Sequence, residues 1–165
     1  MSSISDLGAE KDRAILHKTV RDFGAFADDG AFDRLAALFA PRITLDYSSL
    51  TGQPASTLSS TELMAQWASL LPGFDLTCHA INIPSADIRG VLATVEAAVC
   101  ADHFIADQWW QVQGCYEFVF HKIDGAWKIE TLRFHLTGES GSRDVLALAV
   151  EAVLRRKPRT QIGKA

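Results

Sequence analysis

The sequence has no long apolar run: no stretch of its 165 residues approaches the length needed to cross a bilayer. It also has no excess of basic charge, and a formal net charge of -4 offers no electrostatic footprint for nucleic acid or an anionic membrane. The opening MSSISDLGAEKDRA shows no basic region followed by an apolar run, so no secretory signal is predicted. We therefore expect a cytoplasmic protein that binds neither nucleic acid nor membranes.

Cysteine is scarce, and its arrangement excludes a disulfide framework. The three cysteines, Cys78, Cys100 and Cys115, are odd in number and far apart, which is typical of free thiols in a reducing compartment. The sequence also lacks the close HxH or HxxxH spacing of many metal sites, a glycine-rich phosphate loop and a nucleophile elbow. No metal is predicted.

The composition that is present, 48% hydrophobic and 22% charged, is that of a soluble globular domain with a core of its own. We expect one domain over residues 1–165, with its core at about 10–138 and a C-terminal helix at about 142–155. A basic tail follows this helix, with Arg155, Arg156, Lys157 and Arg159. These cations are expected to be solvated and to complement the helix dipole.

The periodicity of apolar residues predicts helices first and strands afterwards. Helical spacing is found at 5–28, 31–39, 60–71 and 142–154, and strand patterns at 42–47, 74–83, 91–105, 109–123 and 126–136. Residues 48–59 have the composition of a loop, and Arg89-Gly90 and Asp124-Gly125 are hairpin turn signals. This order predicts an α+β fold, in which a curved antiparallel sheet and the N-terminal helices packed on it form a cone with an internal pocket.

Three polar side chains fall on apolar faces of these strands. His103 shares the parity of the valines in 91–105, His79 that of Ile81, and Tyr47 that of Leu45. One such residue would be a hydrogen-bonded core residue, because an unsatisfied buried imidazole costs about 1–3 kcal/mol. Three of them predict a lined pocket, in which the imidazoles could act as an acid/base pair and Tyr47 could donate to a carbonyl.

Asp28 lies in the last turn of the first predicted helix, where a carboxylate opposes the helix dipole. Asp28-Asp29-Gly30 is also ordinary turn composition, so a purely local role stays open. In a functional role, Asp28 would orient a neighbouring imidazole and stabilise its charged form. Since Trp109 and Trp110 face opposite sides of one strand, at most one of them can line the pocket.

The order of elements and several short segments resemble a known family. A helix ending in an aspartate is followed by DRLAALFAP, ITLDYSS, LTCHAIN, CADHF and VFHKIDGAWKIETL. This order is similar to the SnoaL-like branch of the nuclear transport factor cone fold and, within it, to the scytalone dehydratases. The resemblance covers roughly residues 15–136.

The resemblance implies a lyase that removes water from a hydroxylated cyclic ketone without metal or cofactor. Catalytic roles would fall on Asp28, Tyr47, His79 and His103, with Asp28 paired to His103. His103 would then shuttle the proton, His79 would assist, and Tyr47 would stabilise the enolate. The family also implies a homo-oligomer, a trimer or a dimer, that takes a small-molecule substrate.

The sequence departs from the family pattern on the substrate side of the site. Ala27 replaces the tyrosine expected before the aspartate, and Gly114 and Tyr116 replace a serine and an asparagine. We therefore expect a dehydratase or isomerase whose substrate is a small cyclic hydroxyketone, aromatic or polyketide-like, other than scytalone. Candidate substrate-binding residues are Tyr116, which could be a replacement donor, and Phe26, Trp67 and Phe104, which could be apolar walls.

Two alternatives stay open. One is a non-catalytic small-molecule binder or assembly subunit on the same fold, which a filled pocket, or an Asp28 remote from His103, would favour. The other is a steroid-isomerase-like activity, for which the sequence shows no clear tyrosine and paired acid set.

Overall fold

The computed structural model describes residues 3–156, except for the side chains of residues 83 and 84. Within them lie five α-helices: α1 (Ile4–Asp29), α2 (Phe32–Ala36), α3 (Ser48–Thr51), α4 (Ser60–Ala68) and α5 (Asp144–Arg156). The strands are β1 (Phe39–Asp46), β2 (Ser56–Ser59), β3 (Leu76–Arg89), β4 (Leu92–Ile105), β5 (Gln108–Ile123) and β6 (Ala126–Gly141). A 3₁₀ turn, Leu71–Gly73, precedes β3.

The six strands form one sheet in the order β2-β1-β6-β5-β4-β3. Neighbouring strands are antiparallel except β1 and β6, which are parallel, so the expected antiparallel sheet is mixed at this one pairing. The pairing of β3 with β4 shifts register once and that of β5 with β6 twice, with the extra residues on β3 and β6, and such bulges bend strands and increase twist. The predicted α+β fold is confirmed.

Alternation along the long strands separates an inner face from an outer face. In β4, every second residue from Ala93 to His103 is buried, and β5 repeats this from Trp110 to Phe120. The residues between them are partly or fully exposed. Period two thus places the apolar side chains of both strands under the helices, as the sequence predicts.

The first helix packs across β3 and is capped at its C-terminus by Gly30, whose φ of 66° is left-handed. Its start is stabilised by a capping box between Ser3 and Asp6, and α4 has the same arrangement between Ser59 and Glu62. These caps explain why both helices begin where polar residues precede an apolar face.

Several predicted boundaries change in the structure. The second helix is shorter than the predicted 31–39, because Phe39 begins β1 and pairs with Ile129 of β6. The predicted loop at 48–59 contains α3 and the edge strand β2, and β6 continues to Gly141. The basic tail beyond Arg156 lies outside the described residues. In the described part of the chain, no helix combines the length and the apolarity needed to span a membrane.

Candidate active site

A cavity of about 410 Å³ lies between the inner face of the sheet and the helices. Aromatic rings form much of its wall, and residues of α3, α4 and α5 border it on the side away from the sheet. Its polar lining comes from Tyr47, Thr51, Gln53, Ser56, Gln66, His79, His103 and Tyr116. None of the lining residues in the described chain is Asp, Glu, Lys or Arg. Such a cavity suits a small neutral molecule with an apolar body.

Most of the predicted site residues do line this cavity. They are Tyr47, His79, His103, Tyr116 and Trp67. The chain has two tyrosines, and both are in the wall. Of the neighbouring tryptophans, Trp110 is the one that lines it, whereas Trp109 is on the outer face.

Two predicted wall residues, Phe26 and Phe104, do not line the cavity. Phe104 is 37% exposed, because it follows His103 directly and adjacent strand residues point to opposite faces. Phe26 packs under the guanidinium of Arg34, 4.2 Å from the ring centroid, so it faces α2. The cavity side of α1 is formed by Phe23 and Ala27 instead.

Asp28 lies behind the cavity wall and is hydrogen-bonded to His79. His79 Nδ1 is 2.6 Å from Asp28 Oδ1, and the backbone N–H of His79 donates to Asp28 Oδ2 at 2.9 Å. The Thr77 hydroxyl donates to Oδ1 at 2.9 Å. The predicted pairing of Asp28 with His103 is therefore wrong, and the partner is His79.

The packing of α1 explains this correction. The helix crosses β3, so the end of α1 reaches Thr77 and His79 on the edge strand directly. His103 lies one strand further in, opposite Thr77 in the β3–β4 register. The two imidazole rings are neighbours all the same, with centroids 6.0 Å apart.

The hydrogen bonds of Asp28 decide which nitrogen of His79 is free. Burial raises the pKa of Asp28, but the His79 side chain, the His79 backbone N–H and the Thr77 hydroxyl more than offset this, so the pKa is lowered overall. The ionised carboxylate accepts a hydrogen bond from the Nδ1–H of His79. Nε2 is then the nitrogen that carries a lone pair in the neutral ring and can take a proton from a ligand.

His103 is held differently: among the described residues, its ring is hydrogen-bonded to a backbone carbonyl and to no carboxylate. Its Nδ1 lies 3.4 Å from the carbonyl oxygen of Trp110, which can only accept, so Nδ1 carries the hydrogen. The ring is 6% exposed and stacks at a tilt against the Trp110 indole, with centroids 4.8 Å apart. Burial, together with the nearby His79, lowers the pKa of His103 to about 4. His103 is thus a neutral imidazole whose Nε2 can accept a hydrogen bond.

This burial makes folding stability depend on pH. The unfolded His103 takes up a proton near pH 6.5, whereas the folded residue stays neutral to about pH 4, so the unfolded state binds more protons in this window. We expect the free energy of unfolding to fall by about 3 kcal/mol as the pH falls from 6.5 to 4. Urea denaturation at a series of pH values measures it.

The matched variants for this measurement are His103→Asn and His121→Asn. His103→Asn removes the buried imidazole, so we expect the free energy of unfolding to change less between pH 6.5 and 4. His121→Asn changes a part-exposed histidine, so we expect the pH dependence of the wild-type protein to remain. Asp28, whose pKa is lowered, adds its own loss only below its ordinary value of 3.8. An unchanged pH dependence in His103→Asn would contradict the buried neutral state.

The two tyrosines stay protonated at neutral pH. Burial, with the neighbouring Tyr116 hydroxyl, raises the pKa of Tyr47 well above its usual range, and burial raises the pKa of Tyr116 to about 12. Each phenol therefore keeps the hydrogen that a hydrogen bond to a carbonyl oxygen would need.

Several site residues were missed in the sequence. Thr77 has the strand parity of His79 and could have been found from it, whereas Phe134 and Leu50 enter the wall only through tertiary packing. Gly114, at the register shift between β5 and β6, leaves room for Phe134, since a Cβ there would lie 2.5 Å from that ring and 2.2 Å from the carbonyl oxygen of His135. Within residues 3–156, no three His, Cys, Asp or Glu side chains are grouped to hold a metal ion.

Comparison with known proteins places the chain in a family. A profile of the SnoaL-like domain matches residues 9–133, whereas no curated protein matches significantly. A solved structure from Kribbella flavida is 25% identical, covers 86% of this chain and 98% of its own, and has a TM-score of 0.77.

Two further structures share the fold at lower identity. A Novosphingobium aromaticivorans protein, provisionally named a scytalone dehydratase, is 20% identical over 84% of this chain and 92% of its own, with a TM-score of 0.69. A type 2 hexachlorocyclohexane dehydrochlorinase is 15% identical over 83% and 93%, with a TM-score of 0.69. Since the profile covers most of the 165 residues, the chain belongs to the SnoaL-like family.

Proposed function

We propose that the protein is a dehydratase or isomerase of a small, neutral, cyclic hydroxyketone, and that its own side chains supply the acid–base catalysis. The observation that carries this proposal is the Asp28–His79 pair, which leaves Nε2 of His79 free at an uncharged cavity. The same cavity holds two protonated phenols and a neutral imidazole. Removal of a proton next to a ketone is helped by a base and by donors to the ketone oxygen, and loss of the hydroxyl is helped by an acceptor that orients it.

In the dehydration, Nε2 of His79 takes the proton from the carbon α to the ketone, and the electron pair of that C–H bond forms an enolate. Tyr47 and Tyr116 donate to the enolate oxygen. The enolate then re-forms the ketone and a C=C bond while the C–O bond of the β-hydroxyl breaks. The proton on His79 passes to the departing hydroxide, so one water leaves and the imidazole is neutral again.

In the proposed mechanism, the two histidines exchange the roles expected from the family resemblance. His79, which carries the carboxylate partner, is the proton carrier, because Asp28 stabilises its imidazolium. His103 is neutral and has no carboxylate on its ring, so it accepts the hydrogen of the substrate hydroxyl and orients that group.

The names of two structural neighbours agree with this type of chemistry. One is named for loss of water and the other for loss of hydrogen chloride, and both reactions are eliminations. At 20% and 15% identity, these relatives support the reaction class only by analogy.

The test uses 3-hydroxy-1-tetralone, a neutral bicyclic β-hydroxyketone, which loses water and tautomerises to fluorescent 1-naphthol. We expect the protein to accelerate this reaction above the uncatalysed rate. Asp28→Asn should lower kcat by about 10- to 100-fold, because a charge-assisted hydrogen bond of roughly 1.5–3 kcal/mol is lost.

Asp29→Asn is the matched control, because Asp29 is adjacent in sequence but exposed, and His79 is hydrogen-bonded to Asp28 instead. Equal activity in the two variants would overturn the role of Asp28. If the protein binds 1-tetralone but catalyses neither the dehydration nor deuterium exchange at its C2 carbon, the non-catalytic binder is the better explanation. The open cavity, and an Asp28 only one imidazole ring away from His103, favour the enzyme.

A homo-oligomer, either a dimer or a trimer, stays a prediction alongside this function, as does the cytoplasmic location. Sedimentation equilibrium of the full chain measures the former.

A further inference from the structure

Trp110 is the residue that holds His103 in place. Its carbonyl oxygen accepts from Nδ1 of His103, and its indole covers one side of the imidazole. Trp110 is 3% exposed and lines the cavity. The orientation of His103 therefore depends on whatever holds the indole.

The indole is held by Glu139, which lies near the end of β6. Trp110 Nε1 donates to Glu139 Oε1 at 3.0 Å. Arg143 donates two hydrogen bonds to the same carboxylate, from Nε to Oε1 at 2.5 Å and from a terminal guanidinium nitrogen to Oε2 at 2.8 Å. A bidentate pair of this kind fixes the plane and direction of the carboxylate.

Arg143 also connects this ion pair to α3. Its remaining terminal nitrogen donates to the carbonyl oxygen of Leu50 at 2.8 Å, and the Leu50 side chain lines the cavity. Leu146, in the first turn of α5, lines it three residues after Arg143. One ion pair thus joins three wall segments that are far apart in sequence: α3, Trp110 of β5 and the start of α5.

We propose that Glu139 and Arg143, the Glu139–Arg143 clamp, are positioning residues of the site: they hold Trp110 against His103 and fasten α3 and α5 over the cavity. The clamp touches no reacting atom. A partly exposed ion pair contributes little to global stability, so its loss should be seen in the site rather than in the fold. The effect on turnover rests on the proposed function, whereas the effect on His103 does not.

The test compares Glu139→Ala with Glu117→Ala. Glu117 forms a similar ion pair with Arg133 at 2.9 Å, and its side chain is 26% exposed against 29% for Glu139. The Glu117–Arg133 pair differs in its neighbours: Arg133 also donates to Asp46, whereas the Glu139–Arg143 pair is hydrogen-bonded to Trp110 and to Leu50. Long-range ¹H–¹⁵N spectra of ¹⁵N-histidine-labelled protein at neutral pH report the His103 tautomer without any substrate. We expect Glu139→Ala to shift or broaden the His103 signals, and Glu117→Ala to leave them unchanged.

Binding and turnover provide two further readouts. For Glu139→Ala we expect faster dissociation of 1-tetralone, measured by stopped-flow tryptophan fluorescence, because α3 and α5 are no longer fastened. We expect kcat to fall by about 10- to 100-fold, since an ångström of misplacement has an effect of this size. Glu139→Gln, whose amide oxygen can still accept from Trp110, should restore the His103 signals.

Unchanged His103 signals and unchanged 1-tetralone dissociation in folded Glu139→Ala would overturn the clamp. If no ketone is turned over by the wild-type protein, the proposed function fails, but a shift of His103 in Glu139→Ala alone still supports the clamp. A shift of equal size in Glu117→Ala would show that the effect is not specific, and would also overturn it.

Discussion

Replacing His79 by asparagine is expected to lower kcat for dehydration of 3-hydroxy-1-tetralone by about 10²- to 10⁴-fold, the usual contribution of a positioned acid/base group. Asparagine is a suitable substitution, because its amide N–H can still donate to Asp28 while the basic Nε2 is lost. The loss should appear mainly in kcat. The Kd of 1-tetralone should change little, because the apolar walls of the cavity are intact.

The chain offers a matched control for this variant on its outer surface. His121 is also paired with a carboxylate, its Nδ1 being 3.5 Å from Glu130, but it does not line the cavity. His121→Asn should retain wild-type kcat. Deuterium exchange at C2 of 1-tetralone, followed by NMR, isolates the proton-abstraction step. If His79→Asn exchanges this proton as fast as the wild-type protein, His79 is not the base.

Removal of the tyrosine hydroxyls is the second large effect that we expect. Tyr47→Phe and Tyr116→Phe should each lower kcat by about 10²- to 10³-fold, as found when one donor to a developing oxyanion is removed. Both rings remain, so the stacking of Tyr47 on Phe134 and the contact of Tyr116 with Phe23 are preserved. Because the two phenols would donate to the same oxygen, the double variant should lose less than the product of the single losses.

Thr51→Val is the control for the tyrosine variants. Thr51 also lines the cavity, but its hydroxyl already donates to the carbonyl oxygen of Tyr47 at 3.1 Å, so the mechanism does not use it as a donor to the ketone. A loss in Thr51→Val as large as in the tyrosine variants would show that any change at the cavity lowers kcat. Wild-type turnover by Tyr47→Phe and by Tyr116→Phe would remove the phenols from the mechanism.

Strand periodicity predicted much of this site correctly. Parity along 91–105 predicts that His103 faces inward, and it is buried. Parity also predicts that His79 faces inward and Cys78 outward, and Cys78 is exposed. Such predictions succeed because the direction of a strand side chain depends on local backbone geometry alone. The Asp124-Gly125 turn succeeds for the same reason, since φ is positive at both residues.

The predictions about cavity walls were less accurate. Phe104 follows His103 directly, so its strand parity already predicts the outward side chain that the structure has. No such local rule predicts Phe26, because its position depends on how α1 is rotated against the sheet and on α2, whose Arg34 covers the ring. The sequence pattern predicts a loop where the structure has the short helix α3 and the edge strand β2, since a segment of four residues has too little periodicity to detect.

The sequence by itself determined the kind of fold and the chemistry available: which side chains point inward, where α1 ends, and that imidazoles and phenols rather than charged groups face the interior. The tertiary structure alone decided which groups meet. Both histidines have inward parity, so no local rule could assign Asp28 to one of them. The crossing of α1 over the edge strand β3 brings Asp28 to His79, whereas the β3–β4 register places His103 one strand further in. Hydrogen bonds reach only about 3 Å, so Asp28 pairs with His79.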